Sequence, residues 1–339
     1  MRLITTTDMR RLIHEMGLAE FNARLLEALE RDFGRWEAFK LSPRHATYYP
    51  QGVIELMPCA DDRLYAFKYV NGHPGNPHQG KLSVVALGML ADVATGYPLL
   101  LCEMTWLTAL RTAATAALGA RYLARPDSQV LAMIGTGAQS EFQALALAGV
   151  LPLTSVRYYD PDGGAMAKFA ANLGGRIPRL IPCKNAAEAA EGACIIVTAT
   201  AAKRRNRILT PEMLGPGVHI HALGGDCPGK TELDPRLLDR ARVVVEYLPQ
   251  SRVEGEIQNR PQAQVHAELW EIVTGRRPGR ESPGELTLLD SVGFALEDYS
   301  ALRLVHELAG ELGIGSEAAL IPQPADPKDL FGALVGDPA

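Results

Sequence analysis

A glycine-rich turn, GTGAQS at 135–140, contains residue types that can bind a dinucleotide. It follows the short apolar run VLAMI and opens a helical pattern. Gly135 permits a tight turn, Gly137 lets the backbone approach a pyrophosphate, and the helix N-terminus supplies unpaired N–H donors. Ser140 stands where such turns usually have a third Gly or Ala, and it is small enough for close packing of helix and strand. The motif alone fits either a dinucleotide site or an ordinary tight turn.

Asp160 provides the context that favours dinucleotide binding. It ends the next predicted strand, SVRYYD, 25 residues after Gly135. A carboxylate at this point accepts hydrogen bonds from ribose hydroxyls and repels a 2′-phosphate, which favours NAD over NADP. The basic run KRRNR at 203–207 lies near the same edge. We interpret this run as a solvated loop rather than as a phosphate site, because charge runs are usually solvated.

A second unusual segment, GGDCPGK at 224–230, follows the apolar run VHIHAL. The carboxyl end of a strand in a parallel sheet faces the ligand crevice. Gly224 and Gly225 would let the backbone approach a flat cofactor ring, and Asp226 could give or take a proton there. The alternative for Asp226 is a turn or cap residue, and spacing alone does not decide between them.

The cysteines and histidines form no recognisable metal or nucleophile motif. Cys227 adjoins Asp226, and we interpret it as an inert thiol. His219 and His221 lie on one strand face, and core histidines are favoured over metal ligands because neither HExxH nor a carboxylate-rich spacing is present. The five cysteines are odd in number and widely spaced, which argues against a disulfide framework and favours a reducing cytoplasm. We predict no metal.

Three isolated charges interrupt apolar runs in the first third of the chain: Glu55 in GVIELM, Lys68 in LYAFKYV and Arg111 in LTALRTAATAAL. A charge in such a setting is usually paired or binds a ligand. For each charge alone, a structural salt bridge is the preferred interpretation. Together they fit an amino-acid pocket, because an Arg fork suits a carboxylate and a carboxylate suits an ammonium group.

The elements around these residues change character along the chain. The first forty residues predict two helices, the second over 18–39, and short β-rich runs over 44–104 predict an antiparallel or mixed sheet. A long helix is predicted from Thr105, taken as its N-cap, to the RPD sequence at 125–127. Beyond it, apolar strands alternate with helical segments, which predicts a doubly wound parallel sheet. A last long helix is predicted over 295–312.

Length, composition and charge argue against several classes of protein. The 339 residues suggest two domains at about 150 residues each, and the formal net charge of −5 lacks the basic footprint of a nucleic-acid binder. The most apolar region, 84–104, is broken by Asp92, Gly96, Pro98 and Glu103, so no membrane helix is predicted. The N-terminal sequence lacks the pattern of a secretory signal.

Long segments of the chain resemble the ornithine cyclodeaminase and mu-crystallin family. The matching segments are RHATYYPQGVIELMP, FKYVNGHPGNP, EMTWLTALRTAATAA, IGTGAQSEFQALA, HALGGDCPGKTEL, VEYLPQSRVEGEIQ and LTLLDSVGFALEDYSALR. The resemblance implies an α/β fold in which a Rossmann-type NAD-binding domain, 121–294, joins an α+β substrate-binding and dimerisation domain, 1–120 with 295–339. It also implies a homodimer.

The resemblance further implies conversion of L-ornithine to L-proline and ammonia, with tightly bound NAD that is recycled. Arg44, Lys68 and Arg111 would hold the substrate carboxylate, and Lys68 would also help to polarise or deprotonate the α-centre. Glu55 would hold the distal ammonium, and Asp226 would be the general acid and base. The remaining implied contacts are Val292 in the substrate pocket and, around the cofactor, Ser83, Arg111, Gly135, Gly137, Ala138, Gln139, Asp160, Thr200, Leu223, Gly224, Gly225, Asp226, Lys230 and Ser291.

Three alternatives stay open at this point. Lysine differs from ornithine by one methylene, which is worth only about 1–3 kcal/mol of discrimination. A net-redox imine reductase or amino-acid dehydrogenase on the same scaffold would consume NAD(P)H stoichiometrically. A binding protein without chemistry is less favoured, because Lys68, Arg111 and Asp226 are all present.

Overall fold

A computed structural model describes residues 1–200 and 204–336. Its strands are β1 (Arg2–Ile4), β2 (His45–Tyr49), β3 (Gly52–Ala60), β4 (Leu64–Gly72), β5 (Ala86–Asp92), β6 (Pro98–Glu103), β7 (Val130–Ile134), β8 (Ser155–Tyr159), β9 (Arg179–Pro182), β10 (Ile195–Thr198), β11 (Arg205–Leu209), β12 (His219–Ala222), β13 (Thr231–Leu233), β14 (Arg242–Val245), β15 (Val265–Glu268), β16 (Thr287–Asp290) and β17 (Ser316–Glu317). Its α-helices are α1 (Thr6–Met16), α2 (Leu18–Gly34), α3 (Thr105–Leu123), α4 (Ser140–Ala148), α5 (Gly163–Leu173), α6 (Ala186–Ala190), α7 (Arg236–Arg240), α8 (Leu248–Ser251), α9 (Leu269–Val273), α10 (Ala295–Glu311) and α11 (Leu330–Val335). Short 3-10 helices lie at Trp36–Ala38, Asn76–Gln79, Pro211–Met213 and Glu256–Asn259.

The first sheet has the strand order β17-β1-β6-β5-β4-β3-β2. Strands β2 to β6 form an antiparallel meander, and β1 pairs parallel with β6, so the sheet is mixed as predicted. Side chains alternate across it: Glu55 and Met57 of β3 are buried, whereas Leu56 between them is exposed. Helix α10 packs on the inner face, and α2 and α3 pack against α10. Glu55 and Lys68 therefore lie on a face that α10 covers.

The second sheet is parallel throughout, with the order β9-β8-β7-β10-β12-β16-β14-β15. Its central strands β7 and β10 are almost entirely buried and mostly apolar, as is typical of parallel strands covered on both faces. The chain runs outward from β7 through β8 to β9 on one side and from β10 to β12 on the other, where β16 is inserted before β14. The switch point of the sheet therefore lies between β7 and β10. This confirms the predicted doubly wound, Rossmann-type sheet, and it brings the turn after β7 beside the segment after β10.

Several local predictions were wrong in detail. Helix α3 begins at Thr105, but its N-cap is Met104; the Glu103 carboxylate accepts from Trp106 N at 2.9 Å, and Thr105 Oγ1 accepts instead from Ala86 N at 3.0 Å. The second helix ends at Gly34 rather than near 39, and a 3-10 turn follows it. Strand β1 was not predicted, because three residues are too few to show an alternating pattern.

Among the described residues, no helix combines the length and apolar character that crossing a bilayer requires.

An aromatic cluster joins the two halves of the molecule. Trp36, after α2, stacks on Trp270 of α9 with ring centroids 5.8 Å apart. Phe294, just before α10, lies 5.6 Å from Trp36 and 4.7 Å from Tyr247. Such contacts contribute about 0.5–1.5 kcal/mol each beyond their buried area. The cluster thus fixes the segment after β14 and the start of α10 relative to the first sheet, and both carry residues of the candidate site.

Candidate active site

The glycine turn forms an open cradle at the switch point. Gly135 has φ +95°, and a Cβ there would lie 2.6 Å from the Ala199 carbonyl oxygen in the segment after β10. Gly137 faces open space, and both it and Ala138 are exposed. Helix α4 begins without a side-chain cap, and Gln139 Oε1 is buried with no hydrogen-bond partner among the described residues. A helix N-terminus with open space before it and an unsatisfied polar atom fits the pyrophosphate of a dinucleotide.

Asp160 and Ser140 hold this turn in shape. The Asp160 carboxylate accepts from Thr136 N at 2.7 Å and from Asp162 N at 2.9 Å, and each carboxylate oxygen keeps a further lone pair for a ribose hydroxyl. Ser140 is buried, and its hydroxyl donates to the Gly137 carbonyl at 2.8 Å. Ser140 therefore braces the turn as well as being small, a role that the sequence analysis did not include. Of the basic run at 203–207, Lys203 lies outside the described residues, and the arginines at 204, 205 and 207 are exposed.

The two glycines of the turn are expected to respond differently to alanine. Gly135→Ala places a side chain in the left-handed region and against backbone, so we expect a loss of about 1–3 kcal/mol in the free energy of unfolding together with weaker NAD binding. A Cβ on Gly137 would meet no protein atom within 4 Å, so Gly137→Ala is expected to change the stability little. The same Cβ would occupy the space that the pyrophosphate needs, so NAD binding is expected to weaken. Urea unfolding and NAD titration of both variants test this. Equal stability of the two variants would contradict it.

A buried carboxylate supports the second loop. Thr200 donates to Glu232 through its N–H, at 2.7 Å, and through its hydroxyl. A Cβ on Gly224 would overlap the Glu232 carboxylate, so only glycine fits there. Burial raises the pKa of Glu232 above its ordinary value. Leu223 N donates to the Thr198 carbonyl at 3.1 Å, and Gly135 packs against Ala199 and Thr200. Thr200, Leu223, Gly224 and Gly225 therefore lie beside the turn after β7.

Asp226 stands at the edge of this loop with its side chain 54% exposed. Lys230 is buried, and its ammonium donates to Asp226 Oδ1 at 2.9 Å. A cleft of about 310 Å³ opens beside them, between the tip of the β2–β3 hairpin and the segment 227–230. Asp226 is thus accessible to a small molecule while Lys230 holds it in place.

Lys68 and Arg111 form a buried cation cluster with two acidic residues of α10. Lys68 Nζ donates to Asp298 Oδ1 at 2.9 Å, and Arg111 lies 2.9 Å from the same oxygen through Nε and 2.6 Å from Glu297 through Nη1. Burial and the charge of Arg111 lower the pKa of Lys68 to about 8. Gly293, with φ +78°, leaves room for the Arg111 guanidinium, since a Cβ there would lie 2.7 Å from Nη1.

Arg44 is hydrogen-bonded within the protein through both of its terminal nitrogens. Nη1 contacts both carboxylate oxygens of Glu55, at 3.1 and 3.2 Å, and Nη2 donates to the carbonyls of Val292 and Gly293, both at 2.6 Å. Nε lies 3.2 Å from Glu254 Oε2. Like Lys68 and Arg111, Arg44 is therefore paired within the protein, and a substrate carboxylate would share or displace some of these partners.

The remaining predicted residues lie on two elements. Ser291 and Val292 are buried after β16, where the Ser291 hydroxyl and the Val292 and Gly293 N–H groups all donate to Glu246. Ser83 lies in the segment before β5, and its carbonyl accepts from His73 N at 2.8 Å, inside the first sheet. The structure therefore gathers Ser291 and Val292 beside Arg44 and Arg111, and it leaves Ser83 on a separate element.

His219 and His221 are core residues, which is the interpretation that the sequence favoured. Both are fully buried on β12, and His219 Nδ1 lies 3.0 Å from Thr287 Oγ1. Burial lowers the pKa of His221 to about 3. The described part of the chain holds no group of three His, Cys, Asp or Glu side chains arranged to bind a metal ion.

Comparison with known proteins places this site in context. The family model for the ornithine cyclodeaminase/mu-crystallin family matches residues 6–312. The chain is 49% identical over 332 residues to the ornithine cyclodeaminase of Agrobacterium tumefaciens strain Ach5, which covers 98% of this chain and 93% of that protein. The chain belongs to the ornithine cyclodeaminase/mu-crystallin family.

Solved structures of relatives share the architecture of this family member. A lysine cyclodeaminase, described in a study of L-lysine, L-ornithine and L-2,4-diaminobutyric acid recognition, has a TM-score of 0.90 at 30% identity and covers 97% of this chain and 98% of its own. A dimeric archaeal alanine dehydrogenase with bound NAD has a TM-score of 0.87 at 32% identity and covers 94% and 99%.

The carboxylates that pair with the cations of this family member were missed by the sequence analysis. Glu254, Glu297 and Asp298 contact predicted residues, and Glu232 and Glu246 support the loops that carry them. A partial signal was available, because Glu297 and Asp298 are adjacent acidic residues in an otherwise apolar helix start. Which cation each would meet depends on contacts far apart in the chain.

Proposed function

We propose that this chain is an ornithine cyclodeaminase, which converts L-ornithine to L-proline and ammonia on bound NAD. The observation that carries the proposal is a set of linked buried charges beside an exposed acid. Arg44 pairs with Glu55 and donates to Gly293, which packs against the Arg111 guanidinium; Lys68 shares Asp298 with Arg111, and Asp226 is half-exposed within electrostatic range of Arg44. A molecule with a carboxylate and a distal ammonium matches that charge pattern. The 49% identity to a protein of that name over nearly the whole chain supports the same substrate.

We propose that NAD lies across the switch point of the parallel sheet. The pyrophosphate would meet the turn at Gly135, Gly137, Ala138 and Gln139, and Asp160 would accept from the adenosine ribose. Around the nicotinamide end we assign Ser83, Arg111, Thr200, Leu223, Gly224, Gly225, Asp226, Lys230 and Ser291. The open cradle at Gly137 and the NAD in the alanine dehydrogenase structure support this assignment.

Within this site, Arg44, Lys68 and Arg111 bind the substrate α-carboxylate, and Arg44 also holds Glu55 and the Val292 backbone. When bound, NAD supplies a reversible hydride acceptor at the substrate α-carbon. Holding the chain folded brings the distal amine to that carbon, and such proximity replaces a costly bimolecular encounter. Asp226 then gives the proton with which ammonia departs. Val292 lines the pocket beside the substrate chain.

The deciding experiment supplies purified protein with L-ornithine and a trace of NAD, with L-lysine in parallel. We expect proline and ammonia in large molar excess over NAD, with no net NADH. Stoichiometric consumption of NAD or NADH would instead support a reductase or dehydrogenase. Preferential formation of pipecolate from lysine would change the substrate assignment and keep the reaction type.

The division into two domains is part of the proposal. We assign residues 121–294 to NAD binding, and residues 1–120 with 295–339 to substrate binding and dimerisation. The 25-residue distance between Gly135 and Asp160 and the parallel order of β7 and β8 support the first assignment. A cytoplasmic location is proposed from the number and spacing of the cysteines.

We also propose a homodimer formed through the outer face of the first sheet. Leu56, Tyr69 and Leu87 are cross-strand neighbours on the face opposite Lys68, and both Leu56 and Leu87 are exposed. A contiguous apolar face of this kind marks an interface. Leu87→Glu is expected to weaken dimerisation at least about tenfold, since it buries a charge. Sedimentation equilibrium tests this, with the exposed Lys184→Glu as control; an unchanged dimer would contradict it.

A further inference from the structure

We propose that Glu254 receives the distal ammonium of the substrate together with Glu55, and accepts the proton that this group must lose before it attacks the α-carbon. The inference deepens the proposed function and rests on it. Nothing in the family resemblance assigned a role to Glu254.

Glu254 approaches Arg44 from the opposite half of the molecule to Glu55. It follows α8, its side chain is only 2% exposed, and Oε2 lies 3.2 Å from Arg44 Nε. Oε1 lies 3.5 Å from the Tyr48 hydroxyl on β2. The next residue, Gly255, donates its N–H to the Gly225 carbonyl at 2.6 Å. Glu254 is thereby tied to the loop that carries Asp226.

The charges around Arg44 are unbalanced, with an excess of negative charge that suits a bound cation. Glu55 and Glu254 both contact Arg44, and Asp226 lies close enough to act on the charge of Arg44. Lys230 pairs with Asp226. Three carboxylates therefore share two cationic partners, and one negative charge is left over when all are ionised. A substrate ammonium placed between Glu55 and Glu254 would neutralise it, because buried charges are stable only when paired.

Glu254 is also suited to hold the proton. Burial and the negative charges of Glu55 and Asp226 raise its pKa to about 7, against the attraction of Arg44 and the Tyr48 hydrogen bond. An acceptor with a pKa near the working pH is efficient. The proton passes from the distal ammonium to the carboxylate, which leaves a neutral amine and a neutral carboxylic acid. The amine lone pair then forms the new N–Cα bond. The bond from Cα to the α-nitrogen breaks with the proton that Asp226 gives to the departing ammonia, and Glu254 releases its stored proton to solvent when the product leaves, which ionises it again.

The test compares Glu254→Gln with wild type on two ligands. L-ornithine carries the distal amine, and L-norvaline has the same backbone groups and chain length without it. We expect kcat/KM for ornithine to fall about 100-fold. The inhibition constant of norvaline is expected to change less than about threefold, because norvaline lacks the amine that Glu254 binds. The fall of wild-type kcat below about pH 7 is expected to be lost in the variant.

Two further variants make the result decisive. Glu254→Asp keeps a carboxylate, so its kcat/KM is expected to be about tenfold higher than that of Glu254→Gln. A purely structural role would not predict this difference. Glu212→Gln removes an exposed carboxylate paired with Arg236 and is expected to change neither ligand. Equal weakening of norvaline and ornithine, or an unchanged rate with ornithine, would overturn the inference. If wild type itself makes no proline, the proposed function fails first, and that outcome is recognised before any variant is measured.

Discussion

Asp226→Asn is expected to lower the turnover of L-ornithine about a thousandfold and to leave NAD binding nearly unchanged. The asparagine amide keeps the shape of the side chain but cannot give or take a proton. Asp226 is half-exposed at the edge of its loop and contacts Lys230, so the exchange leaves the packing of the loop in place. The effect therefore falls on the chemical steps.

The measurement is proline formation at saturating L-ornithine, alongside NAD titration by fluorescence. Asp239→Asn is a matched control, because Asp239 is an exposed carboxylate paired with Arg260 at 3.0 Å, away from the cleft. We expect the control to behave as wild type. Activity of Asp226→Asn within tenfold of wild type would rule out Asp226 as the general acid and base.

Lys68→Met is expected to lower kcat/KM for L-ornithine by about 10²–10³, with a smaller effect on folding. Methionine fills a similar volume without charge, so the substrate carboxylate loses one of its buried cations. Asp298 keeps Arg111 as a partner at 2.9 Å, so no carboxylate is left without a cation. Replacing one member of a buried ion cluster by an apolar side chain is tolerated when the others stay paired.

The pH dependence of stability gives Lys68→Met a second readout. The pKa of Lys68 is lowered from 10.5 to about 8 in the folded chain, so between these values the unfolded chain binds more protons. Stability from this group therefore rises as the pH increases from about 8 to 10.5. Urea unfolding across that range is expected to show the rise in wild type and in the exposed-site control Lys184→Met, and to show less of it in Lys68→Met. Identical slopes in all three proteins would contradict a lowered pKa for the buried Lys68.

The cofactor half of the site could be predicted from the sequence because its signals are local. Gly135, Gly137 and Asp160 belong to one strand–turn–helix–strand unit, in which spacing along the chain sets spacing in space. The parallel order of β7, β8 and β10 then confirmed the sheet that the apolar runs predicted. The resemblance to a family added roles for residues whose local pattern was ambiguous, Asp226 above all.

The substrate half was predicted less completely. Isolated charges at Glu55, Lys68 and Arg111 predicted a pocket, but not which carboxylate each cation meets. Lys68 and Asp298 are 230 residues apart, and Arg111 and Glu297 are 186 apart. No local periodicity records such a pairing, and a one-residue change in strand register would turn Glu55 or Lys68 to the other face of the sheet.

By itself, the sequence determined the alternation of strands and helices, the glycine turn with its partner carboxylate, and the family. Only the folded chain shows that Arg44 meets Glu55, Glu254 and the carbonyls of Val292 and Gly293, which lie far apart in the sequence. The physical reason is the range of the forces. Backbone geometry and hydrophobic periodicity act over a few neighbouring residues, whereas the pairing of buried charges depends on which distant elements the packing of the core brings together.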